Sequence, residues 1–252
     1  MSRFPVPARA GLLSALLTLP LAACAARTPA DAAAAARVEL PADATVDGLR
    51  IEELSGLAWD ADEQLLYAVS DRGAVFHFRV DLAEGRLSKV VPVRGARLRA
   101  GDGADGFNAE GLALRNAANG VRGDSELVVS LEGDPPRVMR FGPDGLALGA
   151  LPVPAPADDP ARYRKRGRGL EAVALLDDDG VLTAPESPLV GADEQHHAVY
   201  ADGRQWRFPR AAPDSRLKAM DLLAPGRLLV LERSKAGGKA LQASLRTVAL
   251  SG

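Results

Sequence analysis

Acidic residues recur at matched places in this chain. The segments "LSGLAWD" from residue 54, "AEGLALR" from 109, "LEAVALL" from 170 and "MDLLAPG" from 220 align with one another, and their second positions are Ser55, Glu110, Glu171 and Asp221. A second apolar run follows each segment and closes on an acid: "LLYAVSD" at Asp71, "LVVSLE" at Glu132, "VLTAPE" at Glu186 and "LLVLE" at Glu232. A carboxylate at the mouth of a buried run loses hydration and needs compensation. Seven such groups gathered together repel unless they are protonated, paired or bridged by a cation. All-oxygen ligation suits Ca2+, with Mg2+ as the alternative, rather than Zn2+, and calcium tolerates irregular cages. The competing reading is structural: the same acids pair with Arg72, Arg168 and Arg233, or cap turns.

Basic residues supply a second half. "ARYRKRGRGLE" holds Arg162, Arg164, Lys165, Arg166 and Arg168 just before Glu171. Guanidinium groups there could grip a phosphate through paired N–H donors. "GDGADGFNAE" sets Asp102, Asp105 and Asn108 beside Glu110, without the spacing of an EF-hand loop. Several chemistries find no motif: there is no GxSxG, HExxH, CxxC or P-loop. His196 and His197 are adjacent, so on a strand they point to opposite faces and make poor joint ligands.

The elements that must carry these residues are strands. Beyond residue 37, short apolar runs alternate with Gly, Pro and Asp clusters. The second positions of the repeats are 55, 61 and 50 residues apart. In the first two units the pair of runs is followed by a third ("AVFHFRV", "RVMRF") and a fourth ("LSKVVPV", "LALGALPV"). Four strands per unit of this length is the pattern of a β-propeller blade. Near-continuous apolarity of the first two runs fits strands buried on both faces between stacked blades. A two-sheet sandwich explains the strands but not the matched acids. The expected architecture is all-β: a propeller of about five four-stranded blades, four visible as repeats and one assembled from strands at the two termini, or else an incomplete ring. In an antiparallel blade the start of the innermost strand lies beside the end of the next. Ser55 with Asp71, Glu110 with Glu132, Glu171 with Glu186 and Asp221 with Glu232 should therefore ring the mouth of a central channel.

The first residues read as a targeting segment rather than fold. Arg3 and Arg9 precede the short apolar run "GLLSALLTLPLAA", which ends in "LAAC" at Cys24. That ending resembles the lipobox of bacterial lipoproteins, which implies a signal peptide over 1–23, lipid on Cys24, an Ala/Pro-rich tether over 24–37 and one domain over 38–252. Cys24 is the only cysteine, so no disulfide supports the fold. Ala25 and Ala26 lack the aspartate that retains lipoproteins at an inner membrane, which favours an exported, outer-membrane protein facing the periplasm. Without Arg3 and Arg9, 29 basic residues face 33 acidic ones, a net charge of −4 that gives nucleic acid no basic field. Replacing Cys24 by Ala is expected to move the protein from the membrane to the soluble fraction. Continued membrane association, with no lipid on the wild type, would refute the anchor.

Together, "ELSGLAWDADEQLLYAVSDRG", "NAEGLAL", "RGLEAVAL", "TAPESPL" and "DLLAPGRLLVLERS" resemble the family called esterase-like activity of phytase, from about residue 50 to 235 and in the family's order. The resemblance implies a propeller, an exported or membrane-anchored protein and a phosphoesterase acting on a phosphorylated small molecule. The ring of matched acids makes Glu110, Glu132, Glu171, Glu186, Asp221, Glu232 and Asp71 the metal-ligand candidates. Glu171, Arg168 and Glu110 are the catalytic candidates, with Glu171 as base and Arg168 orienting phosphate. Family members continue past "LLVLERS" into a further acidic unit, and Gly167 stands where a polar residue is usual. The alternative function is a non-catalytic propeller lipoprotein that binds a ligand or a protein partner.

Overall fold

Short apolar runs of Val, Leu and Ala become strands, buried on both faces in β8 and β11, and each Gly- or Asp-rich interval becomes a turn. The computed structural model describes residues 37–165, 169–236 and 240–250. A hairpin of β1 (Thr45–Val46) and β2 (Leu49–Arg50) comes first. The first sheet is β3 (Leu54–Asp60), β4 (Leu65–Ser70), β5 (Ala74–Ala83) and β6 (Arg86–Arg97). The second is β7 (Asn108–Arg115), β8 (Glu126–Glu132), β9 (Arg137–Phe141) and β10 (Ala147–Leu151). A single 3-10 turn, Pro160–Arg162, precedes the third, which comprises β11 (Leu170–Leu175), β12 (Val181–Pro185), β13 (His196–Ala201) and β14 (Arg204–Pro209). The fourth has three strands, β15 (Arg216–Ala224), β16 (Arg227–Ala236) and β17 (Ala240–Ala249). Every pairing within these sheets is antiparallel. Among the described residues no helix is long and apolar enough to cross a membrane.

The four sheets stand in a ring as the blades of a β-propeller. Their innermost strands pack in series: β3 on β7, β7 on β11 and β11 on β15. Tyr67 and Val69 meet Leu112, Leu127 and Val129 at the first junction. Val128 and Val138 meet Val173 and Tyr200 at the second, and Ala172, Ala174 and Leu182 meet Leu217, Leu228 and Val230 at the third. Val128 and Val129 thus serve different junctions, the physical reason β8 reads as unbroken apolar sequence rather than alternation. The strands approach so closely that a Cβ on Gly111 would lie 2.8 Å from the Val173 nitrogen, and one on Gly56 2.8 Å from the Leu112 nitrogen.

The all-β propeller agrees with the sequence, but the fifth blade expected from the terminal strands is not among the described residues. The N-terminal strands β1 and β2 are two residues each, turned through Asp47 and Gly48, and are too short to build a blade. Instead Leu40, Val46, Leu49 and Ile51 cover Ala68, Phe76 and Phe78 on the outer face of the first sheet. The β15–β17 sheet makes no packing against the β3–β6 sheet comparable to the other three junctions.

Candidate functional site

Each innermost strand carries a β-bulge at the same place, and the bulges define the site. The register slips between Leu54 and Gly56 in β3, Ala109 and Gly111 in β7, Leu170 and Ala172 in β11, and Leu217 and Ala219 in β15. The unpaired residues are therefore Ser55, Glu110, Glu171 and Lys218. A bulge re-aims its extra side chain out of the sheet's alternation, and here all four line one chamber. A small residue follows each bulge, Gly56, Gly111, Ala172 or Ala219, where the next strand's backbone comes close. Across the bulge, the matching positions of the second-strand segments are Asp71, Glu132, Glu186 and Arg233, which line the same chamber.

This register places the sequence-derived candidates. Asp71, Glu110, Glu132, Glu171 and Glu186 come together as expected, around a chamber of about 490 Å³ with Glu53, Arg216, Lys218 and Arg233. The fourth-blade pair differs. Asp221 sits three residues beyond the bulge, pairs with Leu229 and does not line the chamber. It occupies the position of Ala58, Ala113 and Ala174. Matching "MDLLA" by its acid and apolar run therefore misaligned the repeat by three residues; "LKAM" is the true counterpart of "LSGL", "AEGL" and "LEAV".

Glu232 is out of phase by one, and on a strand one residue reverses the face. Its carboxylate is fully buried in the junction between the third and fourth blades. Oε1 accepts from His197 Nε2 at 2.9 Å, the Ala211 N–H at 2.9 Å and the Ser215 hydroxyl at 2.8 Å, while Oε2 accepts from Arg246 Nε at 2.7 Å. Burial pushes the Glu232 carboxyl up, but Arg246, the Ala211 N–H and Ser215 outweigh it and hold it below the usual range. Burial lowers His197 to about 4, so a neutral imidazole faces an ionised carboxylate.

Inside the chamber the carboxylates differ in character. Lys218 Nζ bridges Glu171 Oε1 and, at 2.7 Å, Glu186 Oε1. Arg216 holds the other oxygen of Glu186 at 3.0 Å. Burial raises Glu186, but Lys218 and Arg216 together overcome it and keep the group ionised. Glu171, whose side chain is 5% exposed against 21% for Glu186, is raised by burial to about 7 despite Lys218. Glu110 has no hydrogen-bond partner among the described residues; burial, then the charges of Glu171 and Glu132, raise it to about 8. Asp71 reaches about 6 through burial and a hydrogen bond shared with Glu53. Glu132 accepts from Asn108 Nδ2 at 3.0 Å and from the Gly169 N–H at 2.8 Å. Ser55 donates to the Ala109 carbonyl at 2.6 Å, so its hydroxyl ties the first two blades together.

Two basic residues of the loop are described near the chamber. Arg164 pairs with Glu194 and, with Lys165, lines a smaller cavity of about 210 Å³ that shares Glu186 and Arg216 with the chamber. Arg166 and Arg168 lie outside the described residues, as does Cys24. Asp102 takes the Ala104 N–H in an exposed turn and does not line the chamber. His196 and His197 do point apart: His196 bonds exposed Asp193 at 2.7 Å, and His197 is buried. The chamber cations Arg216 and Lys218 were missed by sequence reasoning, which named Arg233 only as a structural partner of the acids. The signal for Lys218 was present in the polar-then-small pairs "SG", "EG", "EA" and "KA".

As a cation site, the donor set is of the right kind. It is all oxygen, and Asn108 Oδ1 is buried with no partner beside Glu132. Among the described residues no three His, Cys, Asp or Glu side chains stand close enough together to hold one ion. The described residues therefore form no closed cage for an ion.

Among solved structures, the chain is similar to the Dos1 propeller at 11% identity and a TM-score of 0.38, covering 72% of this chain and 42% of that one. It is also similar to U3-55K at 12% identity and a TM-score of 0.40, covering 79% and 54% respectively. The chain spans about half the length of each. No curated protein sequence matches it. The family model for phytase-like proteins, described as esterase-like activity of phytase, matches residues 49–252. The chain belongs to that phytase-like family.

Proposed function

We propose that the chamber is the active site of a calcium-assisted phosphoester hydrolase acting on a phosphorylated small molecule. One observation carries the reading: Asp71, Glu110, Glu132, Glu171 and Glu186 share one water-accessible chamber with Arg216, Lys218 and Arg233, where burial raises Asp71, Glu171 and Glu110 above the ordinary carboxylate range while Lys218 and Arg216 keep Glu186 below it. Carboxyl groups whose surroundings push them apart can divide acid and base work at neutral pH. Glu110 keeps its proton at pH 7 and can donate it to the leaving alcohol oxygen. Glu171, the base named from sequence, can accept a proton from the attacking water. Asp71, Glu132 and Asn108 would hold the cation, with water completing its shell. Bound calcium would screen the phosphate charge and make a bound water more acidic. Arg216, Lys218 and Arg233 supply positive charge in the same chamber. Lys218 already neutralises Glu171 and Glu186, whereas Glu110 has no hydrogen-bond partner among the described residues.

That same ammonium favours a second reading, a ligand-binding propeller without turnover, because two of the carboxylates are satisfied by the protein itself. The deciding experiment offers the purified protein p-nitrophenyl phosphate, its diester and a carboxylic ester with calcium, magnesium or chelator. Phosphoester turnover that needs calcium and falls by about a hundredfold or more in Glu110→Gln supports the hydrolase. Lys218→Met should tighten calcium binding, because it frees two carboxylates from their resident cation. No turnover of any ester, with calcium binding unaltered in both variants, rejects the hydrolase.

A further inference from the structure

Ser130 lies on β8, fully buried between the second and third blades, and lines no part of the chamber. It stands opposite Gly111, the first paired residue after the Glu110 bulge. Its hydroxyl accepts from the Gly111 N–H at 2.8 Å and donates to the Glu171 carbonyl at 3.0 Å. A hydroxyl has a single proton, so these two partners fix its direction. Both partners belong to bulges, where the ladder is interrupted and backbone groups need other partners. One side chain thus supplies two neighbouring bulges. Gly111 makes room for it, since a Cβ there would lie 2.6 Å from Ser130 Oγ and 2.9 Å from the Glu171 oxygen. The matching positions in the other three blades are Val69, Ala184 and Leu231. Of the four, only the one at the junction of Glu110 and Glu171 carries a hydroxyl.

We propose that Ser130 is a positioning residue, which holds the Glu110 bulge against the Glu171 bulge and so sets the separation of their carboxyl groups. Its effect on the reaction rests on the hydrolase reading; its effect on the geometry does not. Without the hydroxyl, a buried N–H and a buried C=O lose their partner at the same point. Each must then turn or draw in water to be satisfied. Either response moves backbone that carries a carboxyl group, because Glu110 precedes Gly111 and the carbonyl is that of Glu171 itself. Ser55, from the first blade, donates to the Ala109 carbonyl at 2.6 Å, so Glu110 is held through the residue on either side. Groups that give and take protons in one step tolerate little displacement. A misplacement of about 1 Å costs about a hundredfold in rate.

The test sets Ser130→Ala against Val129→Ala, which trims a buried side chain of the same strand on the face toward the first blade. Crystal structures of the wild type and Ser130→Ala should differ by about 1 Å in the separation of the Glu110 and Glu171 carboxyl carbons. Val129→Ala should keep the wild-type separation. With p-nitrophenyl phosphate, Ser130→Ala should lower kcat by at least about tenfold with KM unchanged. Val129→Ala should lower the melting temperature and leave kcat as it was. Ser130→Cys, which keeps a weak donor in the same place, provides the same comparison if Ser130→Ala does not fold. If the wild type hydrolyses no ester, the hydrolase reading fails and the carboxyl separation alone decides the role of Ser130. A separation unchanged in the Ser130 variant overturns the proposal, as does an unchanged kcat or one that falls equally in Val129→Ala.

Discussion

Glu232→Ala is expected to unfold on the order of 10 °C below the wild type, a loss of about 3–5 kcal/mol. The carboxylate accepts four hydrogen bonds with its side chain buried, and its removal strands His197 and Ser215, which are 1% exposed. Arg246 would lose its partner as well and keep only the Pro209 carbonyl and the face of Phe208. Glu232→Gln retains an acceptor oxygen and should recover part of the loss. Because the folded carboxyl is held below its ordinary value, its contribution is present above pH 4.5 and is lost as the pH falls through the folded value. The gap between wild type and Glu232→Ala should therefore narrow in acid. Thermal melts that agree within about 2 °C at pH 7 would remove the knot as a stabilising feature.

Glu110→Gln should have the opposite sign, stabilising the protein at high pH. In the fold Glu110 holds its proton up to about 8, against 4.5 for the free group. Below 4.5 both folded and unfolded chains carry the proton, and the group costs nothing. Between 4.5 and 8 the unfolded chain releases it while the folded one retains it, so stability falls as the pH rises. Above 8 the folded carboxyl must ionise among Glu171 and Glu132, and the penalty is complete. The span from 4.5 to 8 sets an upper bound of about 5 kcal/mol. Water in the chamber screens this, leaving about 2 kcal/mol. Glu110→Gln, which keeps the shape without the charge, should be more stable than wild type by about that amount at pH 9 and indistinguishable from it near pH 4. Calcium should close the difference at pH 9 if the chamber holds it. Denaturant titrations showing the same difference at both pH values would refute the burial of a strained carboxylate there.

The strand content, the four repeats and the pairing of Glu110 with Glu132 and Glu171 with Glu186 were legible in the amino-acid order. Each depends on local patterns: an apolar run too short for a helix, a turn, and an acid at each end of two adjacent strands. The central strands advertise burial on both faces, so a stacked-blade fold could be read without coordinates. Asp221, Glu232 and Lys218 depended on something the order does not display, the position of the β15 bulge. That slip is set by how Leu217 and Met220 seat against the third blade, and it decides which residue leaves the sheet. It turned the presumed acid pair into Lys218 and Arg233 and sent Glu232 into a buried knot with His197 and Arg246. Likewise, three carboxyl groups of ordinary chemistry acquired distinct proton affinities only when enclosed together. Proton affinity is a property of burial and neighbours, and distant segments become neighbours only when the blades are stacked.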